Sequence, residues 1–173
     1  SRKDSTGLPG LMCEARIVGD NGLELPAGQT GEVAVRGPNV FFEYWGNAQA
    51  TAEAIRDGWY HTGDIGTRDP DGYFYIHDRK KNVIISGGEN IYPAEVERVL
   101  YQHPGIAEAA VIGAPHPEWG EVPIAYLVCT AAIDHDELIR YCRGQLASFK
   151  VPRTIHQVET LPRNAMGKLQ KNL

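Results

Sequence analysis

Residues 78–97 read DRKKNVIISGGENIYPAEVE, and no other stretch of the chain limits its fold so strongly. A basic cluster leads into a short apolar strand at 83–85, and Gly87-Gly88 turns the chain. Pro93 then opens a helix, where its missing N–H costs nothing because first-turn N–H groups lack intrahelical partners. Val96, Val99, Leu100 and His103 give that helix one apolar face, and Gly105 ends it. Residues 107–112 and 124–129 read as strands. Asp134 and Glu137 resemble a capping box at the start of a second helix, lined by Leu138, Ile139, Cys142 and Leu146. Residues 154–158 make a last strand. The order β-α-β-β-α-β predicts a small α+β domain, a mixed short sheet with its two main helices on one face.

The preceding portion, to about residue 77, is turn-rich and β-like. Apolar and polar residues alternate at 12–18 and again at 32–36. Asp20-Asn21-Gly22 is a turn signal, and Asn47 caps a short helix over 48–56. Asp69-Pro70-Asp71-Gly72 links two aromatic strands, around Trp59-Tyr60-His61 and Tyr73-Phe74-Tyr75. No core of its own is evident in this portion, so it reads as the end of something larger. Such an incomplete subdomain leaves room for a homodimer in which a second copy supplies contacts.

Several function classes recede at this point. The net charge of −5 argues against nucleic-acid binding as the main role. No apolar run is long enough to span a bilayer, and the first residues, SRKDSTGLPG, are not a signal peptide. The three cysteines form no C-x-x-C pair, so neither zinc nor a disulfide framework is indicated. A reducing cytoplasm is the simpler setting. The histidines, His61 and His116 included, form no metal or nucleophile constellation by spacing. From Phe149 onward Lys150, Arg153, Arg163, Lys168 and Lys171 face Glu159 alone, a tail suited to an anionic ligand or to plain solvation.

Three phrases carry chemistry. Thr62-Gly63-Asp64 follows an aromatic strand; a carboxylate there accepts from both hydroxyls of a ribose, although T-G-D is also a common turn. Asp78-Arg79-Lys80-Lys81 places cations at a strand exit, where Arg79 forks onto ribose or phosphate oxygens, or forms an ordinary solvated turn. The composition changes here, as at an interdomain hinge. Ser86-Gly87-Gly88-Glu89-Asn90 lets a narrow, extended ligand pass close to the backbone, with Asn90 as a polar contact, or is simply a turn. Lys168 follows Asn164-Ala165-Met166-Gly167 in what reads as a flexible loop. It is either a solvated surface lysine or a point charge delivered to a site on a long stem.

Taken in order, TGEVAVRGPNVFFEYWGN, GWYHTGDIG, GYFYIHDRKKNVIISGGENIYPAEVE, AVIGAPHPEWGEVP and FKVPRTIHQVETLPRNAMGKLQKNL resemble the AMP-forming acyl-CoA synthetases of the acyl-adenylate-forming superfamily. The resemblance covers the whole chain and places it in the C-terminal third of such an enzyme. It implies a partial, β-rich last subdomain of the large N-terminal domain at 1–77, a hinge at 78–82 and a mobile C-terminal domain at 83–173. It implies that Asp64, Arg79 and Ile76 bind nucleotide, that Lys81 is the hinge residue, that Gly87, Gly88 and Asn90 border the CoA tunnel, and that Lys168 serves adenylation. The implied partners are ATP with Mg2+, AMP, CoA and a small carboxylic acid; the implied product is an acyl-CoA made through an acyl-adenylate. A phosphate loop, an adenine and magnesium element and an acyl pocket are not found, so the chain alone is expected to be inactive. An adenylation domain loading a carrier-protein thiol and a non-catalytic interaction module stay open.

Overall fold

The computed structural model describes residues 2–171. The chain divides into two compact units, one ending at Lys81 and the other starting at Asn82.

The first unit is a five-stranded sheet. Its elements are β1 (Glu14–Val18), β2 (Gly31–Arg36), α1 (Ala48–Ala54), β3 (Ile55–Arg56), β4 (Trp59–Arg68) and β5 (Phe74–Arg79). Strand β4 is the centre: β2 pairs along one edge, while β3 and β5 divide the other, all antiparallel. β1 completes the sheet outside β2. Alternation turns Ile17 and Val33 inward with Phe74, and Val18 and Ala34 with Trp59. The unit therefore has two small cores of its own, contrary to the expectation of none. Asn47 caps α1 by accepting from Ala50 N–H at 3.0 Å. The helix ends at Ala54 rather than Arg56, because Ile55 is extended and joins the sheet opposite Tyr60. The Asp69 carboxylate fastens the β4–β5 turn by accepting from the Asp71 and Tyr73 N–H groups.

The second unit contains β6 (Ile84–Ser86), β7 (Glu89–Ile91), α2 (Pro93–Tyr101), β8 (Ile106–His116), β9 (Gly120–Cys129), α3 (His135–Arg143) and β10 (Thr154–Gln157). Its sheet is mixed: β10 runs parallel to β9, and the other pairings are antiparallel. The expected order holds, with β7 added, so Gly87-Gly88 turns a hairpin instead of leading straight to the helix. Helix α2 stops at Tyr101, and His103 lies in the following turn, off the apolar face. β8 and β9 run longer than their apolar cores suggested, because Gly113 to His116 pairs in register with Pro123 to Gly120. Asp134 caps α3 by accepting from the N–H groups of Asp136 and Glu137. Val96, Val99 and Leu100 of α2 and Leu138 and Cys142 of α3 share one core with the sheet, including Ile84, Val111, Leu127 and Ile155. Among the described residues no helix is long and apolar enough to cross a membrane.

Candidate functional site

Asp64 and Arg79 face each other in the β4–β5 register, and Arg79 donates from Nη1 to Asp64 Oδ1 at 2.8 Å. Both side chains are partly open to solvent, at 30% and 52% exposure, so the pair is available to a ligand. Thr62-Gly63-Asp64 lies inside β4 and not after the strand, contrary to the expectation from sequence. What makes it protrude is a bulge. Glu32 pairs with Ile65 and Ala34 with His61, so Val33 alone faces residues 62–64. A second irregularity sits on the other side: Ile65 pairs with Asp78 and Gly66 with Ile76, which makes His77 the extra residue. Gly63 has φ of +72°, the left-handed region that glycine enters without a Cβ penalty. Thr62 Oγ1 donates to the Val33 carbonyl at 2.8 Å and accepts from Asp64 N–H at 3.1 Å, closing the loop. Ile76 lies on β5 opposite Gly66 and is half exposed.

Under this bulge lies a buried carboxylate. Glu32 is 7% exposed and accepts from Gly63 N–H at 3.1 Å and from Lys80 Nζ at 3.1 Å. His61 Nδ1 lies 3.3 Å away, and an Arg56 guanidinium nitrogen 3.7 Å. Burial alone would raise the carboxyl, but the hydrogen bond and charge of Lys80, then those of His61, outweigh it and hold Glu32 below the usual carboxylate value. Beside the pair stands Tyr60, whose phenol is pushed up by burial and then by its hydrogen bond with Tyr44. Phe41 meets that ring edge-on at 5.1 Å.

In the second unit, Gly87 and Gly88 occupy the two-residue turn between β6 and β7, with φ of +59° and +86°. Positive φ at both positions is what a type I′ hairpin turn demands. Gly87 N–H donates to the Trp119 carbonyl at 2.8 Å, and a Cβ at Gly87 would lie 2.7 Å from the Trp119 ring. Asn90 is within β7, exposed and paired with Ile85, so it belongs to the strand and not to the turn. Beside the hairpin opens a cleft of about 490 Å³, lined by Gly87, Trp119, Phe149, Arg143 and Arg153 among others. Neither Trp119 nor Arg143 stood out in the sequence. Trp119 was detectable only as an aromatic in a Pro/Gly turn. His116 Nδ1 accepts from the N–H groups of Glu118 and Trp119 and shapes that turn.

Lys168 sits on a hydrogen-bonded hairpin turn. Arg163 and Leu169 pair as a bridge, and Asn164 exchanges bonds with Lys168 at 2.9 Å in each direction. Arg163 donates to Glu108, and Lys171 lies 2.7 Å from Glu97, which ties both ends of the hairpin to the body of the unit. The basic tail is thereby largely neutralised, since Lys150 also pairs with Glu95. Among the described residues, Arg153 and Lys168 have no ion-pair partner. Among the same residues, no group of three or more His, Cys, Asp or Glu is arranged to hold a metal ion.

Residues 95–168 match the AMP-binding enzyme C-terminal domain. A feruloyl-CoA synthase from an Amycolatopsis species is 50% identical over 169 residues, covering 96% of this chain and 34% of the relative. A 2-succinylbenzoate–CoA ligase from Bacillus licheniformis is 48% identical, covering 97% and 35%. The chain belongs to the acyl-adenylate-forming superfamily. It spans about a third of the length of these curated relatives. In structure, this superfamily member is similar to the o-succinylbenzoate CoA synthetase of Bacillus subtilis solved in complex with its acyl-adenylate intermediate. The TM-score is 0.95 at 44% identity, over 99% of this chain and 35% of that one.

Proposed function

We propose that the chain is the C-terminal part of an ATP-dependent, AMP-forming acyl-CoA ligase. The observation that carries this reading is the Asp64–Arg79 pair, set opposite each other on bulged strands and open to a ligand. A carboxylate accepts two bonds from a ribose diol, and the guanidinium beside it donates to ribose or phosphate oxygens. In the first half-reaction a carboxylate oxygen attacks the α-phosphorus of ATP and pyrophosphate leaves. Lys168 neutralises the charge that builds on the oxygens. In the second, the CoA thiol attacks the acyl carbonyl, its proton is lost, and AMP leaves. Gly87 and Gly88 leave room for the pantetheine arm, with Asn90 alongside. Lys81 is the proposed hinge that exchanges the two functional faces between steps, as one catalytic site cannot hold the lysine and the thiol path together.

Free CoA is favoured over a carrier-protein thiol, because Arg143 and Arg153 in the cleft beside Gly87 suit the phosphates of the CoA nucleotide. Mg2+ belongs with the ATP polyphosphate. By itself the chain is proposed not to form acyl-adenylate, since its sequence contains no glycine-rich phosphate loop.

The test is the separation of the half-reactions in the full-length enzyme. Lys168→Ala should lower carboxylate-dependent pyrophosphate exchange by about 10²–10³-fold while largely sparing thioester formation from supplied acyl-adenylate. Equal slowing of both steps would overturn the role of Lys168. Ferulate, 2-succinylbenzoate, malonate and longer aliphatic acids are the carboxylates to compare.

A further inference from the structure

We propose that Glu32 is a positioning residue that holds Asp64 and Arg79 in register for the nucleotide, an inference that rests on the nucleotide-binding reading of that pair. Each of Glu32's two carboxylate oxygens holds a different segment of chain beside the pair. Oε1 accepts from Gly63 N–H at 3.1 Å, one residue before Asp64. Oε2 accepts from Lys80 Nζ at 3.1 Å, one residue after Arg79. Asp64 and Arg79 are themselves cross-strand partners. A single buried carboxylate therefore holds both strands at one end of the pair.

The grip matters because the pairing is irregular next to the Asp64–Arg79 pair, on the β2 side and on the β5 side of β4. Such register shifts remove ladder bonds and free the backbone to move. Thr62 and Gly63 are bound instead by the consecutive residues Val33 and Glu32 of β2. His61 and Arg56 reinforce the charge of Glu32 from β4 and β3. The unused exposed face of the pair is then preorganised: the cost of ordering the bulge is met in folding and not in binding. Glu32 is not placed to touch ribose or phosphate itself. It acts through Gly63 and Lys80.

The experiment is steady-state kinetics of the full-length ligase, with Glu32→Gln as the main variant because it is isosteric and keeps an acceptor for Gly63 N–H. Loss of the charge opposite Lys80 should raise KM for ATP several-fold, and Glu32→Ala should raise it about tenfold, the effect expected when one buried charged acceptor is removed. The KM for CoA and the rate of thioester formation from supplied acyl-adenylate should stay within about twofold. Lys80→Met should raise KM for ATP in the parent but add little in the Glu32→Gln background. Asp64→Ala is run in parallel. If Asp64→Ala raises KM for ATP and Glu32→Gln does not, this proposal is overturned while the nucleotide reading stands. If Asp64→Ala leaves KM for ATP unchanged, the nucleotide reading itself falls and this proposal with it. If the KM values for ATP and CoA rise together, Glu32 only supports the fold and the proposal is overturned.

Discussion

Gly87 and Gly88 are adjacent and alike in sequence, yet the structure gives them different work. A side chain at Gly87 would strike the Trp119 ring, whereas one at Gly88 would enter open space. Both positions also carry the cost of a left-handed backbone, about 1–2 kcal/mol for an L-residue. Gly87→Ala should therefore destabilise the second unit by more than this backbone cost, and displace Trp119. Gly88→Ala should cost only the backbone share. Urea denaturation of both variants tests the contrast, and equal losses would contradict it. Gly88→Leu should slow the thioester step and leave pyrophosphate exchange nearly intact, which reverses the pattern expected of Lys168→Ala. Asp64, Arg79 and Lys168 stood out in the sequence as candidates because their neighbours are short, ordered phrases. Glu32 was not, since its importance arises from a register shift that only the paired strand defines. Its one trace is a carboxylate immediately before the apolar run Val33-Ala34-Val35.

At the scale of elements, the β4–β5 region depends on a charge that acid can remove. The folded Glu32 carboxyl is held below its ordinary value, so the stabilisation it provides is fully present above the unfolded value of about 4.3. That contribution is lost as pH falls through the folded value. The parent chain should accordingly lose thermal stability in the first unit as the solution is acidified below that range, and Glu32→Gln should flatten this part of the profile. A profile of the same slope in both proteins would show that other carboxylates control the acid transition. Helices α2 and α3 were legible from capping and apolar spacing, since those signals are local. The hairpin strand β7 was hidden, because Glu89-Asn90-Ile91 has little strand propensity and is extended only by pairing with β6. The hairpin that carries Lys168 was hidden for a related reason. Its anchors, Glu108 and Glu97, lie 55 and 74 positions away from Arg163 and Lys171.

At the scale of the whole molecule, the two units differ in how much apolar surface each buries within itself. The second has one contiguous core built from both helices and five strands. The first has two separate clusters of three buried residues each. It also leaves Leu11, Phe42 and Trp45 almost fully exposed. Burial contributes on the order of 25 cal/mol per Å² of apolar surface, so the unit with the larger core should be the more stable. Hydrogen exchange on the isolated chain should show slower opening of backbone amides from residue 82 onward than before it. Leu138 is fully buried between α3 and the sheet, and Leu138→Ala should destabilise this unit by about 2–5 kcal/mol, the usual cost of such a cavity. The same substitution should leave exchange in residues 2–81 unchanged. If Leu138→Ala accelerated exchange equally throughout, the two units would be one cooperative body, and the division at Lys81 would have no thermodynamic meaning.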